Sequence, residues 1–353
     1  MKKVLYVVEN TESAQFRYRV RNIADALDGR KYEAEWALKT ELNDVRLDKF
    51  DLVVVLRQTD KDGAIGRFID LAHEASKKVL FDLDDLIFDY RDIPVLMRAT
   101  NSRNVAYWMG YVWGIRRVAK KADGFICTNA FLVGKLKRSF GKSVKVIRNS
   151  LNKEQVEISE KFVKKKDVRK FVNSGFSIGY FSGSPTHAKD FAMVEPELIR
   201  FLELHDNAKL KIVGYMKLSK RMQQLRNLGK VELVQLVDYL RLQGLISKVD
   251  VNIAPLVLND FTNCKSELKF FEAGAVETTT IASPNYSFKK VIKNGENGFL
   301  AKPGEWFDKL EYLYSHPEEN RNIALVAKKD ALKHYYGKEF VKEVEEAYDY
   351  FAK

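Results

Sequence analysis

Short apolar runs alternate with amphipathic stretches twice over in this chain, and one polar segment separates the two series. In the first series strands are expected at 3–8, 33–37, 52–56, 78–82, 124–128 and 145–148, with helices between them, for example over 16–27 and 66–76. The second series restarts at 177–181 and continues at 209–213, 231–233, 249–254, 279–282 and 298–301, with helices near 196–205, 219–227 and 267–275. This alternation is the signature of βα units, which build parallel sheets covered by helices. At 353 residues the chain also exceeds what one core comfortably supports. The expected fold class is α/β, with two Rossmann-like doubly wound domains facing a cleft: a first domain over 1–150 and a second over 175–334. The segment 151–174, with its run of lysines at 164–166, reads as the linker or a surface helix flanking it. The stretch 321–353 reads as helix, broken once at Gly337. No repeat of solenoid length is present.

Composition narrows the class further. The apolar runs, such as 4–8 and 52–56, fall far below the roughly 20 residues of a membrane-spanning helix. The apolar start of the chain meets Glu9 after five residues, so it reads as a first strand rather than a secretory leader. Two cysteines, Cys127 and Cys264, offer neither a disulfide framework nor metal-ligand spacing, which points to a reduced, cytoplasmic setting. The net charge is +12, and it is concentrated: residues 101–150 hold eleven lysines and arginines against the single acid Asp123. A field of that density implies an anionic partner, whether lipid head groups, nucleic acid or a phosphorylated substrate. Neither G-x-G-x-x-G nor G-x-x-x-x-G-K-[ST] occurs, so the usual dinucleotide and P-loop signatures are excluded.

The most informative stretch is 253–285. A buried strand ends at Pro255, a polar loop follows, and Ser266 is placed to cap a helix opening at Glu267. Leu268, Phe271 and Ala275 recur at helical spacing and face the core, while Lys269 and Glu272 share a different face. A helix N-terminus beside lysines at a strand end suits a diphosphate, because free N–H groups and the macrodipole favour negative charge. Glu272, a turn further in, has the chemistry to accept hydrogen bonds from a sugar or ribose diol. Spacing alone supports an ordinary i, i+3 surface pair equally well.

Residues 265–283 (KSELKFFEAGAVETTTIAS), followed by 294–300 (NGENGFL), resemble the donor-side segment of retaining glycosyltransferases with the GT-B fold, in particular glycosyltransferase family 4, the group 1 type. Residues 178–190 (IGYFSGSPTHAKD) resemble the strand and loop that open the second domain of such enzymes, and 144–152 (VKVIRNSLN) the strand and turn that close the first. Residues 81–88 (FDLDDLIF) resemble an acidic segment of polysaccharide-assembly members. The resemblance implies that Glu272 holds the ribose hydroxyls of a nucleotide-sugar, while Lys189 and Lys265 neutralise its diphosphate. It implies that Gly183 lets the loop pass close to the donor, with Ser184, His187, Ser266 and Lys269 completing the donor set. It also implies that the last helix, about 335–353, packs back onto the first domain. Three positions depart from the family pattern: Cys264 replaces a glutamate eight residues before Glu272, Ser184 stands near an expected arginine, and Glu277 stands where glycine is commoner. With that glutamate missing, Glu267 joins Lys189 and Asp84 as the catalytic candidates.

Asp82, Asp84 and Asp85 have a rival reading, since Asp-x-Asp at a strand end can hold a hard cation on a nucleotide diphosphate. That reading belongs to a one-sheet fold and leaves the second βα series unexplained, so Asp84 or Asp85 is expected to line the acceptor side, with no metal. In the basic segment, 107–121 (YWMGYVWGIRRVAKK) places Trp108, Tyr111, Val112 and Ile115 on one helical flank, with Arg116, Arg117, Lys120 and Lys121 at its end. Such a helix can rest on an anionic leaflet, and a core helix with a solvated basic end accounts for the pattern nearly as well. Nucleic acid is not expected as a partner, because no nucleic-acid fold signature accompanies the charge. The function expected is transfer of a sugar from a nucleotide-sugar, as substrate rather than cofactor, to a glycan, lipid-linked or protein-linked hydroxyl acceptor in surface polysaccharide or glycolipid synthesis. The transfer is expected to be retaining and metal-independent, in a cytoplasmic enzyme seated peripherally on the inner membrane face. A non-catalytic GT-B-like partner of an active glycosyltransferase is the alternative.

Overall fold

The computed structural model describes residues 1–169, 175–183 and 188–352. The chain divides into two compact units: Met1–Asn152 with Asn263–Ser266 and Tyr335–Lys353, and Lys153–Thr262 with Glu267–His334. The first unit is built on β1 (Lys2–Val8), β2 (Tyr32–Leu38), β3 (Leu52–Leu56), β4 (Lys78–Leu83), β5 (Gly124–Cys127) and β6 (Val144–Val146), in the spatial order β2-β1-β3-β4-β5-β6. The second is built on β7 (Phe176–Ser182), β8 (Ala208–Gly214), β9 (Val231–Val234), β10 (Val251–Ala254), β11 (Thr279–Ala282) and β12 (Phe299–Leu300), in the order β12-β11-β10-β7-β8-β9. Every ladder is parallel. Strands buried on both faces need continuous apolar runs, and β3 (LVVVL) is buried at every position.

One core of the first unit joins Val4, Tyr6, Leu52, Val54 and Leu80 to Phe340, Val344 and Tyr348 of the Lys338–Phe351 helix. Burial of each such side chain stabilises by about 1.5–3 kcal/mol. Inside that core the Tyr6 and Tyr348 hydroxyls meet at 2.5 Å. The last helix lies so close to β5 that a Cβ on Gly124 would sit 2.3 Å from the Phe351 ring. In the second unit Ile178, Tyr180, Leu210, Ile212 and Ile253 pack against Phe201, Trp306 and Leu310.

Three local expectations are corrected. The helix read over 16–27 is interrupted by a π turn at Arg17–Arg21, which turns Tyr18, Arg19 and Val20 inward in succession. The described part of 151–174 is a helix, Lys153–Arg169, whose Gln155, Val156, Ser159 and Val163 are buried. Its apolar positions are too sparse to show helical periodicity in sequence. The helix read from Pro196 begins at Ala188 and runs to Leu204 with Pro196 inside it. Packing of Phe191, Val194, Leu198, Phe201 and Leu202 offsets the hydrogen bond that proline removes. Among the described residues no helix is long and apolar enough to cross a membrane.

Candidate functional site

The carboxyl ends of the second unit's strands carry a compact polar group. The helix Leu268–Ala275 follows β10 and is sunk into the unit, with Phe270, Phe271, Glu272, Ala273 and Gly274 all buried. Gly274 permits this depth, since a Cβ there would lie 2.8 Å from the Ala327 carbonyl oxygen. Asn252 on β10 donates to the Lys269 carbonyl at 2.9 Å and ties down the first turn. The N-cap is Glu267, one residue later than expected, because the Ser266 hydroxyl accepts instead from Asn149 in the first unit at 2.9 Å.

Glu272 is 6% exposed and accepts from Gln155 Nε2 at 3.3 Å. One turn earlier, the stem of Lys269 is half-buried but its ammonium nitrogen is sealed from solvent and has no hydrogen-bond partner among the described residues. It lies 4.6 Å from the centre of the Tyr180 ring. Burial pushes its pKa down to about 8, against the opposing pull of the Asp190 and Glu272 carboxylates. Asp190 itself accepts from the Val257 backbone N–H at 2.8 Å. A buried cation without a direct partner is costly. Lys189 is exposed on the first turn of the Ala188–Leu204 helix, and Gly183 is exposed at the end of β7. No described atom lies within 4 Å of where a Gly183 Cβ would be. Ser184 and His187 lie outside the described residues.

A second polar group forms in the first unit. Asp82 is fully buried and takes Arg19 in a forked pair, at 2.9 Å between Nη2 and Oδ2, and Arg19 also donates to the Ile147 carbonyl at 2.5 Å. Burial pushes the Asp82 carboxyl up to about 6, while Arg19 pulls it down. Asp84 accepts from Arg57 Nη1 at 3.1 Å and from Gln15 Nε2 at 3.2 Å. Asp85 accepts from Arg57 at 2.8 Å and from Lys265 at 2.8 Å. Burial alone would raise the Asp85 carboxyl, yet Lys265 and Arg57 hold it well below the usual range. Arg57 reaches both aspartates from a left-handed backbone, φ 43°, immediately after β3. Such strain in a non-glycine residue persists where its surroundings over-determine it.

The Asp-x-Asp pattern thus separates into one buried structural pair and one accessible cluster, and among the described residues no group of histidine, cysteine and carboxylate side chains is arranged to hold a metal. Within the first unit Lys265 pairs with Asp85 at 2.8 Å, and within the second Lys269 and Glu272 stand a turn apart on one helix. Glu267 is buried at the helix start, and Cys264 is buried with its carbonyl accepting from Asn129 at 2.9 Å. Glu277 adopts the left-handed conformation, φ 52°, that makes glycine the commoner residue there, and Lys328 pairs with its carboxylate at 2.8 Å.

The basic helix is corrected in detail. Over Val105–Lys121, Trp108, Val112 and Ile115 face the core, so the apolar flank picked out by spacing is interior. Arg116 donates to the Phe88 carbonyl at 3.1 Å and stacks on Tyr90 and Phe140, which ties it to the fold. The exposed stripe is Val105, Met109 and Trp113, continuing into Arg117 and Lys120, with Arg117 lying over the Trp113 ring and pairing with Asp60 at 3.2 Å. Lys121 pairs with Asp70.

Gln155, Asp190, Tyr180, Arg19 and Arg57 were not singled out from sequence. Gln155 lies in the segment read as linker, Tyr180 inside an apolar strand, and the two arginines act through partners distant in sequence, 63 residues apart for Arg19 and Asp82.

Residues 178–316 match the family profile of the Glycosyl transferases group 1. EpsD of Bacillus subtilis (strain 168), which carries a glycosyltransferase name, is 32% identical over 92 residues, a match covering 25% of this chain and 23% of EpsD. The crystal structure of Anabaena Alr3699/HepE in complex with UDP and glucose is similar with a TM-score of 0.66 at 15% identity, over 99% of this chain and 100% of that one. Sucrose-phosphate synthase (tll1590) from Thermosynechococcus elongatus is similar with a TM-score of 0.69 at 13% identity, over 99% of both chains. At such identities the structural likeness speaks for the fold alone: the chain has the two-sheet GT-B fold, and residues 178–316 of its second unit are similar to the group 1 glycosyl transferases.

Proposed function

We propose that the chain transfers a hexose-type sugar from a nucleoside diphosphate to a hydroxyl acceptor, with retention of configuration and without a metal. The observation that carries this reading is Lys269, whose sealed ammonium lacks a hydrogen-bond partner among the described residues while the Glu272 carboxylate stands one turn away. In the reaction, Lys269 and Lys189 neutralise the diphosphate as the glycosidic bond breaks, and charge stabilisation of the leaving group in a dry site is the largest catalytic term available. Glu272 accepts hydrogen bonds from the ribose hydroxyls and fixes the donor's register. In the first unit Asp84, with its side chain 16% exposed and held by Arg57, has the chemistry to accept a hydrogen bond from an acceptor hydroxyl. The HepE structure, solved with UDP and glucose, supports a nucleotide-sugar as donor by analogy of fold.

A panel of nucleoside diphosphate sugars tests this directly, with release of the nucleoside diphosphate as readout. In calorimetry with the sugar nucleotide that the panel selects, Glu272→Gln should weaken binding by about tenfold or more. The amide keeps the volume and a bond to Gln155, so the melting temperature should change little. Unaltered donor affinity in this variant removes the site. Donor binding without turnover favours instead a non-catalytic partner, a reading that the buried Cys264 at the missing glutamate motivates.

We further infer that the first unit rests on an anionic membrane surface through Val105, Met109 and Trp113, with Lys120 and Arg117 beside them. Insertion of each large apolar side chain contributes about 1.5–3 kcal/mol and each nearby cation about 1 kcal/mol. The double variant Met109→Glu, Trp113→Glu should co-sediment with phosphatidylglycerol vesicles about tenfold less than wild type. Equal sedimentation of the two would leave this face without a membrane role.

A further inference from the structure

The amino ends of the second unit's strands, opposite the end that carries Lys269 and Glu272, hold a cavity of about 520 Å³. Its walls include Lys209 and Lys211 on β8, Arg226 and Lys230 beside the Gly229 turn, and Lys248 before β10, with Glu232 on β9 as the one acid. Alternation along a strand puts Lys209, Lys211 and Glu232 on one face, and the register sets Lys211 beside Glu232. That same face is covered further along by Ile246, Val163 and Ala273 against Phe181 and Val213, so the apolar cover stops short of the lysines.

The charges divide clearly. Lys211 pairs with Glu232 at 3.1 Å and Lys230 with Asp206 at 3.2 Å. Lys209, Arg226 and Lys248 have no ion-pair or hydrogen-bonding partner for their side chains among the described residues, and all three are exposed at the cavity. We propose that this cavity is a second anion site, which takes a small, multiply charged phosphate ester at the end of the sheet away from the donor. The volume lies in the range of small-ligand pockets, about 300–1,000 Å³. Adjacent strands are about 4.8 Å apart, so Lys209 on β8 and Lys248 on the approach to β10, two spacings apart, stand about 10 Å from each other, a gap that two long lysine stems close onto two linked phosphates. The acids around it set the length of the ligand. Asp206 lies beside Lys230, Glu232 lies on the edge strand, and Asp250 lies beside Ser177, accepting its hydroxyl at 2.7 Å. An extended polyanion leaving the cavity meets these carboxylates, whereas a short ester stays among the cations.

The test is calorimetric titration of the full chain with pyrophosphate at about 0.15 M salt, where exposed long-range charge is screened beyond about 8 Å. Lys209→Glu with Lys248→Glu should remove one binding event or weaken it by about tenfold or more, while nucleotide-sugar binding at Glu272 stays intact. Lys269→Met should leave this event in place. The milder pair Arg226→Gln, Lys248→Gln gives the same direction in a protein whose fold is untouched. Pyrophosphate binding unchanged in both double variants overturns the proposal. Affinity that climbs steadily from pyrophosphate to long-chain polyphosphate also overturns it, because the surface then follows an extended polyanion. Since the donor site is read separately, failure here is distinct from failure of the glycosyltransferase reading.

Discussion

Lys269→Met should raise the stability of the second unit and abolish donor binding in the same protein. The wild-type ammonium is sealed, lies near the Tyr180 ring, and has neither Asp190 nor Glu272 as a direct hydrogen-bond partner. Burial lowers its pKa from 10.5 to about 8. At 1.36 kcal/mol for each pKa unit, holding the charged form in the fold costs about 3 kcal/mol at neutral pH. Methionine matches the stem in shape and carries no charge, so a gain of about 1–3 kcal/mol is expected in a urea melt. The sign of the pH dependence follows from the same group. A lysine with a depressed folded pKa destabilises below that pKa, and the penalty fades as pH rises from about 8 toward the unfolded value of 10.5. Wild type should therefore gain on Lys269→Met across that window and lag it most at pH 7. Donor binding should move the opposite way, since a diphosphate requires the ammonium form. A variant less stable than wild type at pH 7, or one that keeps its donor affinity, contradicts this account of the site.

The second large effect lies in the other unit. Arg19→Met removes the partner of a fully buried carboxylate, and breaking one side of such a pair costs about 3–5 kcal/mol. The loss should be greatest above the pKa that Asp82 takes in the variant and shrink as pH falls toward about 6, because burial already raises the carboxyl to about 6 with arginine present and raises it further without. A protonated Asp82 leaves no bare charge in the core. Arg19→Met with Asp82→Leu should recover much of the stability, since two apolar groups of matching volume replace the pair. Denaturant melts at pH 7.5 and pH 5 distinguish the cases, and a single variant that loses under about 1 kcal/mol at pH 7.5 shows that Arg19 is not the counter-charge.

The strands were readable in sequence because parallel sheets leave uninterrupted apolar runs, and residues 52–56 and 279–282 fall where the ladders are. The helix bearing Lys269 and Glu272 was readable within one residue at its start for a similar reason: Phe271 and Ala275 mark its inner face. What sequence missed depends on depth. Spacing places Lys269 on a face but does not say that its nitrogen is sealed, and it puts Trp108 on an apolar flank without saying whether that flank meets a core or a membrane. The π turn at Arg17–Arg21 was hidden too, since the partner of its inward-turned Arg19 is Asp82, far away in sequence. The Lys153–Arg169 helix was offered by the sequence only as a surface helix, because its polar composition hides the buried Gln155 that supplies Glu272 with a hydrogen bond.

The Lys338–Phe351 helix has a consequence for biosynthesis. Its Phe340, Val344 and Tyr348 complete a core that begins at Val4, so the opening sheet leaves the ribosome with one flank bare. That flank stays bare while the second unit is translated, and closes only when residues 338–351 emerge. Domains generally fold amino-terminal first as they are made; here the order is reversed, and the unit synthesised first is the last to be sealed.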